Sequence, residues 1–393
     1  MSASADPART PAPVRLRDGL KYCVLVFLAV RIGLSLLSVV GVGLIEPRGG
    51  DLPAVAGWPI APVTPGWHNA VNGTERQDAA WYLRLATDGY RTDDESAAFF
   101  PVYPLAVRAA TWVPFVGPLG AALIVSNVAF LAALVMLHGL TRLEFGSESM
   151  ARRAVLFLAV FPTAFFFMAP YTESTFLLLS ISTFWFARRN RWAWAAVMAA
   201  LAAATRNVGL LLAPALAVEA WLQWRQEGRA LAPRIAAAAA TVLGPVAYLA
   251  YWQARSGDAW APIRAQAHWN RDLAAPWASL GEAVHLAARY SSYWLIDLLV
   301  VGVVLVAVAM GWRMLRAPYL TFAGLSLLVE LSAPVPGRPL LSVPRFVAVI
   351  FPAFWVLARG VERRRLSEPL IVGFSSAGYG ILALLFINWW HVF

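Results

Sequence analysis

Apolar residues along this chain gather into long runs separated by short charged islands. The first run covers about 22–45, and others lie near 119–141, 154–169, 174–187, 192–205, 207–223, 235–253, 291–312, 317–332, 346–360 and 369–388. A helix needs about 20 apolar residues to cross the hydrocarbon core of a bilayer. The pattern therefore predicts an all-α polytopic membrane protein with about eleven spans. Several runs are shorter than that, which predicts tilted or broken helices. Residues 1–21 are rich in Ser, Ala, Pro and Arg and read as a disordered cytoplasmic tail, with 22–393 as one transmembrane domain. A polar, Pro- and Gly-rich segment at about 46–118 is too long for a simple connector and predicts a structured first loop.

Composition agrees. Apolar residues make up 60% of the chain and charged residues only 14%, against about 25% charged in a soluble domain. The net charge of +10 suggests nucleic acid at first sight, but the arginines sit at the ends of apolar runs rather than on a continuous face. With the N-terminus inside, Arg142, Arg152, Arg153, Arg188, Arg189, Arg191, Arg225, Arg229, Arg234, Arg313, Arg316, Arg359, Arg363, Arg364 and Arg365 all fall on the cytoplasmic side. The large outer segments are then 46–118, 254–290 and 333–345, which hold most of the His, Trp and loop carboxylates. This arrangement predicts a multi-pass plasma-membrane protein with its chemistry outside. The lone Cys23 excludes an internal disulfide.

Within the first outer segment, Thr74 and Gln77 have capping-box spacing, which predicts a helix from about Thr74. Asp78, Trp81, Tyr82 and Leu85 would share one face of it, Arg84 and Asp88 would pair on another, and Gly89 would stop it. Such a helix would lie amphipathically at the membrane interface. Asp78 then reads either as a partner of the positive helix end or as a general base. Arg31 and Asp297 stand alone in apolar runs and call for a partner or a polar cavity.

Four motifs, in order, carry a family resemblance. Gln77-Asp78-Ala79-Ala80-Trp81-Tyr82-Leu83-Arg84-Leu85-Ala86, with Asp88-Gly89-Tyr90 and Ala98-Phe99-Phe100-Pro101-Val102-Tyr103-Pro104, resembles the first-loop signature of the PIG-V mannosyltransferases. Phe161-Pro162-Thr163-Ala164-Phe165-Phe166-Phe167 with Ala169-Pro170-Tyr171-Thr172-Glu173-Ser174 is similar to a second family motif. Ala203-Ala204-Thr205-Arg206-Asn207-Val208-Gly209 and Ser342-Val343-Pro344-Arg345-Phe346 with Phe351-Pro352 are the third and fourth. An aromatic residue commonly precedes the family's aspartate, where this chain has Gln77.

The resemblance implies a GT-C glycosyltransferase fold. It also implies a polyprenyl-phosphate sugar donor, probed from the outer face by an essential acid that matches Asp78. Mannose is the implied sugar, and a lipid or glycan is the implied acceptor. For an inverting transfer, Asp78 is the expected catalytic base. Arg345 and Arg206 are expected at the donor phosphate, because guanidinium matches phosphate in a bidentate way. Trp81, Tyr82, Tyr103, Tyr171, Glu173 and His268 are the expected substrate contacts. No cofactor is expected: the five histidines are scattered without ligand-pair spacing, and a divalent ion would have only Asp93-Asp94-Glu95 to bind. The rival class is a lipid or polyprenyl-sugar flippase, for which inverted repeats would speak; the sequence shows no such internal symmetry.

Overall fold

The computed structural model describes residues 16–45, 58–59, 63–228, 230–269, 271 and 273–390, without the side chains of residues 16, 268 and 269. Most of the expected tail and the His268 side chain lie outside these described residues. The described elements are helices, and Val335 and Arg338 form an isolated bridge.

Each of the eleven apolar runs carries a helix. Among the described residues, five are long and apolar enough to cross a membrane: Arg17–Leu44, Pro118–Phe145, Ala232–Ser256, Ser292–Arg313 and Glu368–Ile387. The others are short or broken, as the run lengths require. The 154–169 run ends its α-helix at Ala159 and resumes as the turn Ala164–Met168. The 192–223 stretch divides into Trp192–Ala203 and Leu212–Glu227, with Arg206 in the turn between them. Local signals set such boundaries. Gly146, at φ 66°, ends the Pro118–Phe145 helix, and the Ser147 hydroxyl accepts from Met150 N to start the next.

Leu25, Leu28, Ile32, Leu36, Val40 and Leu44 are all exposed along one helix at spacings of three and four residues. A stripe of that length suits lipid rather than water. The chain is a multi-pass membrane protein. Inside, Phe165, Phe166, Tyr171 and Phe386 pack edge-on or tilted against one another, as do Phe184, Tyr319, Phe351 and Trp355.

The two ends of the bundle differ. At one end Glu144 pairs with Arg188 at 2.5 Å, and Glu219 with Arg188 and Arg316 at 3.1 Å each. At the other end Tyr103 hydrogen-bonds Ala122 O and Ser126 Oγ. Ala122 and Glu144 share one helix, which places them about 33 Å apart along its axis at 1.5 Å per residue. That is about the thickness of the hydrocarbon core.

Candidate active site

The segment leading to Asp78 is fixed from several directions. Arg76, 2% exposed, donates from Nε to Ile387 O at 2.7 Å and from Nη1 to Asn72 O and Glu75 O. The Tyr171 hydroxyl donates to Arg76 O at 2.8 Å. Gln77 then takes φ 51°, a left-handed conformation that costs a non-glycine residue about 1–3 kcal/mol. The helix opens after this turn, over Ala79–Thr87, with Asp78 just outside it and making no side-chain cap hydrogen bond. The expected start at Thr74 is therefore displaced, and the Thr74 hydroxyl is buried without a partner rather than capping. Freed from the helix end, the Asp78 carboxylate reaches across the fold instead.

It meets Arg345. Nη1 of Arg345 donates to Asp78 Oδ2 at 3.0 Å, across 267 positions of sequence. Arg345 lies on the short helix Val343–Val347, which follows another left-handed residue, Ser342 at φ 66°. The Thr163 hydroxyl holds this turn by donating to Pro344 O at 2.8 Å, which ties the second motif to the fourth.

Beneath this pair lies Glu173, 1% exposed. Its Oε1 is 2.6 Å from Arg206 Nη1 and 3.2 Å from Arg345 Nε. Arg206 owes its place to the third motif's glycine: a Cβ on Gly209 would lie 2.4 Å from Ala203 N, so only glycine lets this turn press onto the preceding helix. The Phe346 ring is shared by three guanidiniums, with Arg206 at 4.5 Å, Arg345 at 4.8 Å and Arg271 at 5.6 Å from its centre. An aromatic face is one of the few neutral surfaces that attract several cations at once.

These groups border a cavity of about 270 Å³ lined by Asp78, Tyr82, Arg206, Arg271, Glu330 and Arg345, among others. That is small against the 300–1,000 Å³ typical of small-molecule sites, so it suits a polar head group rather than a long lipid chain. Its walls come from all three expected outer segments: Gln77, Tyr82 and Phe99 from the first, Gln266 and Arg271 from the second, and Val335, Leu341 and Arg345 from the third. The carboxylate of Asp78 is 29% exposed here, whereas the Arg345 side chain is 10% exposed. Burial alone would pull the Arg345 guanidinium down, but the Glu173 and Asp78 carboxylates reverse this and hold it above its usual value. Burial, then the nearby Glu173 and Asp78, push the Tyr82 phenol up, so it stays a neutral hydrogen-bond donor.

The remaining expected residues divide. Tyr171 stands under Arg345, with the guanidinium 5.2 Å from its ring centre, and Tyr103 supports Tyr82 edge-on at 5.2 Å while bonding Ser126. Trp81 turns away from the cavity and stacks on Phe99 at 5.3 Å, with the Arg84 guanidinium over its ring. Nor does the Ala79–Thr87 helix lie on a membrane surface. Arg84 is fully buried and pairs with Asp94 at 2.5 Å, not with Asp88, which pairs with Arg91 at 3.4 Å. Asp93, Asp94 and Glu95 border a separate open groove with Asp258 and Arg264. No group of three His, Cys, Asp or Glu among the described residues is placed to hold a metal ion. Arg31 finds Ala70 O at 3.2 Å, and Asp297 forms a two-pronged pair with Arg338 at 2.8 and 3.0 Å.

Two cavity residues were missed by the sequence reading. Glu330 interrupts an apolar run just as Asp297 does, so the same signal marks it. Arg271 lies in a tryptophan-rich segment that reads as an interfacial belt. In the structure it donates to Ala333 O and Leu341 O at 3.0 Å each, which ties the second outer segment to the third.

Comparison with known proteins fits this architecture. The family described as Mannosyltransferase (PIG-V) matches residues 58–223, which takes in the first three motifs but not the Arg345 motif. The resemblance read from the sequence holds over that part of the chain. No curated protein matches. The crystal structure of ArnT from Cupriavidus metallidurans bound to undecaprenyl phosphate superposes with a TM-score of 0.53 at 16% identity, over 91% of this chain. Its apo form gives 0.48 at 16% identity, over 90% of this chain and 62% of that one. This chain spans 63% of the length of the undecaprenyl-phosphate-bound ArnT chain. The shared architecture is the expected GT-C fold, all-helical and built on membrane spans.

Proposed function

We propose that this protein is a membrane glycosyltransferase that moves a sugar, mannose by family resemblance, from a polyprenyl-phosphate donor to a lipid or glycan acceptor, with inversion. The observation that carries the reading is the meeting of Asp78 and Arg345 at 3.0 Å on the wall of a cavity built from three distant segments. The undecaprenyl phosphate bound to ArnT supports the donor class.

In this mechanism the acceptor hydroxyl enters beside Asp78 and attacks the anomeric carbon. Asp78 takes the hydroxyl proton as the new C–O bond forms. The bond from the anomeric carbon to the phosphate oxygen breaks, and polyprenyl phosphate leaves as an anion. No general acid is needed for such a leaving group; positive charge at its oxygens is. Arg345 donates from Nη1 to Asp78 and its Nε lies 3.2 Å from Glu173 Oε1 without a hydrogen bond, which leaves Nη2 for a phosphate oxygen. Arg206 faces the same cavity and completes the cationic wall. The arginine distribution supports a position for this cavity on the non-cytoplasmic side, with the plasma membrane as the proposed location.

The test uses purified protein in detergent with a radiolabelled polyprenyl-phosphate sugar and a panel of lipid and glycan acceptors. Transfer in detergent supports an enzyme, since a flippase needs two compartments to act. No transfer from any polyprenyl-phosphate sugar, alongside lipid translocation in vesicles, would overturn the reading.

A further inference from the structure

Glu330 is the one acid of the cavity that the mechanism above does not use. It is the penultimate residue of the apolar helix Ala317–Leu331, is more than nine-tenths buried, and lines the cavity together with Arg206, Arg271 and Arg345. Yet it forms no hydrogen bond or ion pair with any of them, and Glu173 and Asp78 take the contacts that Arg206 and Arg345 make with acids. Arg271 is spent on the Ala333 and Leu341 carbonyls. The charge of Glu330 lies in the field of Arg206, Arg271 and Arg345 without direct contact, and a carboxyl group held in an apolar helix without a hydrogen bond packs it less well than an apolar residue of the same size. Across the same cavity the Gln77 side-chain amide nitrogen is also buried without a partner. An acceptor that makes no direct hydrogen bond and an unpartnered donor thus line the same cavity.

We infer that Glu330 is a specificity residue for the transferred sugar, accepting hydrogen bonds from hydroxyls of the donor's pyranose ring while Asp78 serves the acceptor hydroxyl. The inference rests on the glycosyltransferase reading. A carboxylate offers two acceptor oxygens and so matches neighbouring ring hydroxyls, whereas the lipid chain and the phosphate offer it nothing. Its place beside the arginines puts it near the phosphate-linked sugar of the donor rather than at the acceptor. A site built to bond a hydroxyl discriminates strongly against a substrate that lacks it, because its own polar group is then stranded.

The experiment pairs enzyme and substrate changes. Wild type and Glu330→Gln are assayed with the parent donor and with donors deoxygenated at each ring position in turn. For wild type, removal of the bonded hydroxyl should lower kcat/KM by about 10- to 100-fold, the range of a hydrogen bond to a charged group. In Glu330→Gln that penalty should shrink severalfold at one or two ring positions, while the penalties at the others stay unchanged. Equal penalties at every position in both proteins would overturn the inference, as would a change confined to the acceptor KM. Glu330→Asp serves as a second variant if the glutamine form fails to fold, and it should shift the penalties at the same positions. Failure of wild type with every donor would instead strike the glycosyltransferase reading, so the two failures are separable.

Discussion

Asp78 and Arg345 face each other at 3.0 Å across 267 positions of sequence, each following a residue with left-handed backbone: Gln77 immediately before the aspartate, Ser342 three positions before the arginine. Strain held on both sides of one ion pair points to a fixed arrangement of the two side chains. The Nε of Arg345 also lies 3.2 Å from Glu173 Oε1. Lysine keeps the charge but is a single point donor on a flexible stem. Arg345→Lys is therefore expected to remain folded and to lower kcat/KM for the donor by about 10- to 100-fold, the size of one lost charge-assisted hydrogen bond. Donor-concentration dependence of transfer checks this, and an unchanged kcat/KM would remove Arg345 from the phosphate site.

Glu173 lies beneath the cavity between two arginines. Its Oε1 accepts from Arg206 Nη1 and lies 3.2 Å from Arg345 Nε, and it is almost wholly buried. Removing one member of a buried ionic cluster leaves uncompensated charge and costs about 3–5 kcal/mol. Glu173→Ala should lower the thermal midpoint in detergent markedly, while Glu173→Gln, which keeps one hydrogen-bond acceptor, should lower it less. A midpoint equal to wild type for the alanine variant would mean that the two arginines do not depend on Glu173.

The loop that carries Phe99 has an acid-sensitive anchor. Partial burial would raise the Asp94 carboxyl, but the hydrogen bonds from Arg84 and Ser96 outweigh it and hold the group below its usual 3.8. The sign follows from linkage: a carboxyl depressed in the folded state stabilises at pH above its unfolded value, and that stability is lost as pH falls through the folded value. Wild type should thus lose thermal stability below about pH 4 relative to Asp94→Asn. Melting curves of both proteins from pH 7 down to 3 test this; parallel curves over the whole range would count against the Arg84–Asp94 anchor.

Much of the fold was legible because lipid imposes a composition on every helix that touches it. All eleven runs became helices, and even the broken ones at 154–169 and 192–223 were marked by their length. At the site, Asp78, Glu173, Arg206 and Arg345 stood in recognisable motifs, and the structure brings them together. What escaped depends on tertiary partners. The amphipathic reading of the first-loop helix failed because Arg84 is charged in the sequence but neutralised inside by Asp94. Trp81 shares a helical face with Tyr82 on paper, yet Phe99 draws its ring away from the cavity. Arg271 gains its role only where the second and third outer segments meet, a juxtaposition that no spacing encodes.

In the proposed mechanism Asp78 removes the acceptor proton. Asp78→Asn keeps the shape of the side chain and one acceptor for Arg345 while abolishing the base. Single-turnover transfer with radiolabelled donor, measured beside donor binding on the same protein, isolates that step. The account predicts donor binding within a few-fold of wild type and transfer slowed by about 10²–10⁴-fold, the usual contribution of general-base catalysis. Transfer at the wild-type rate by correctly folded Asp78→Asn protein would contradict it.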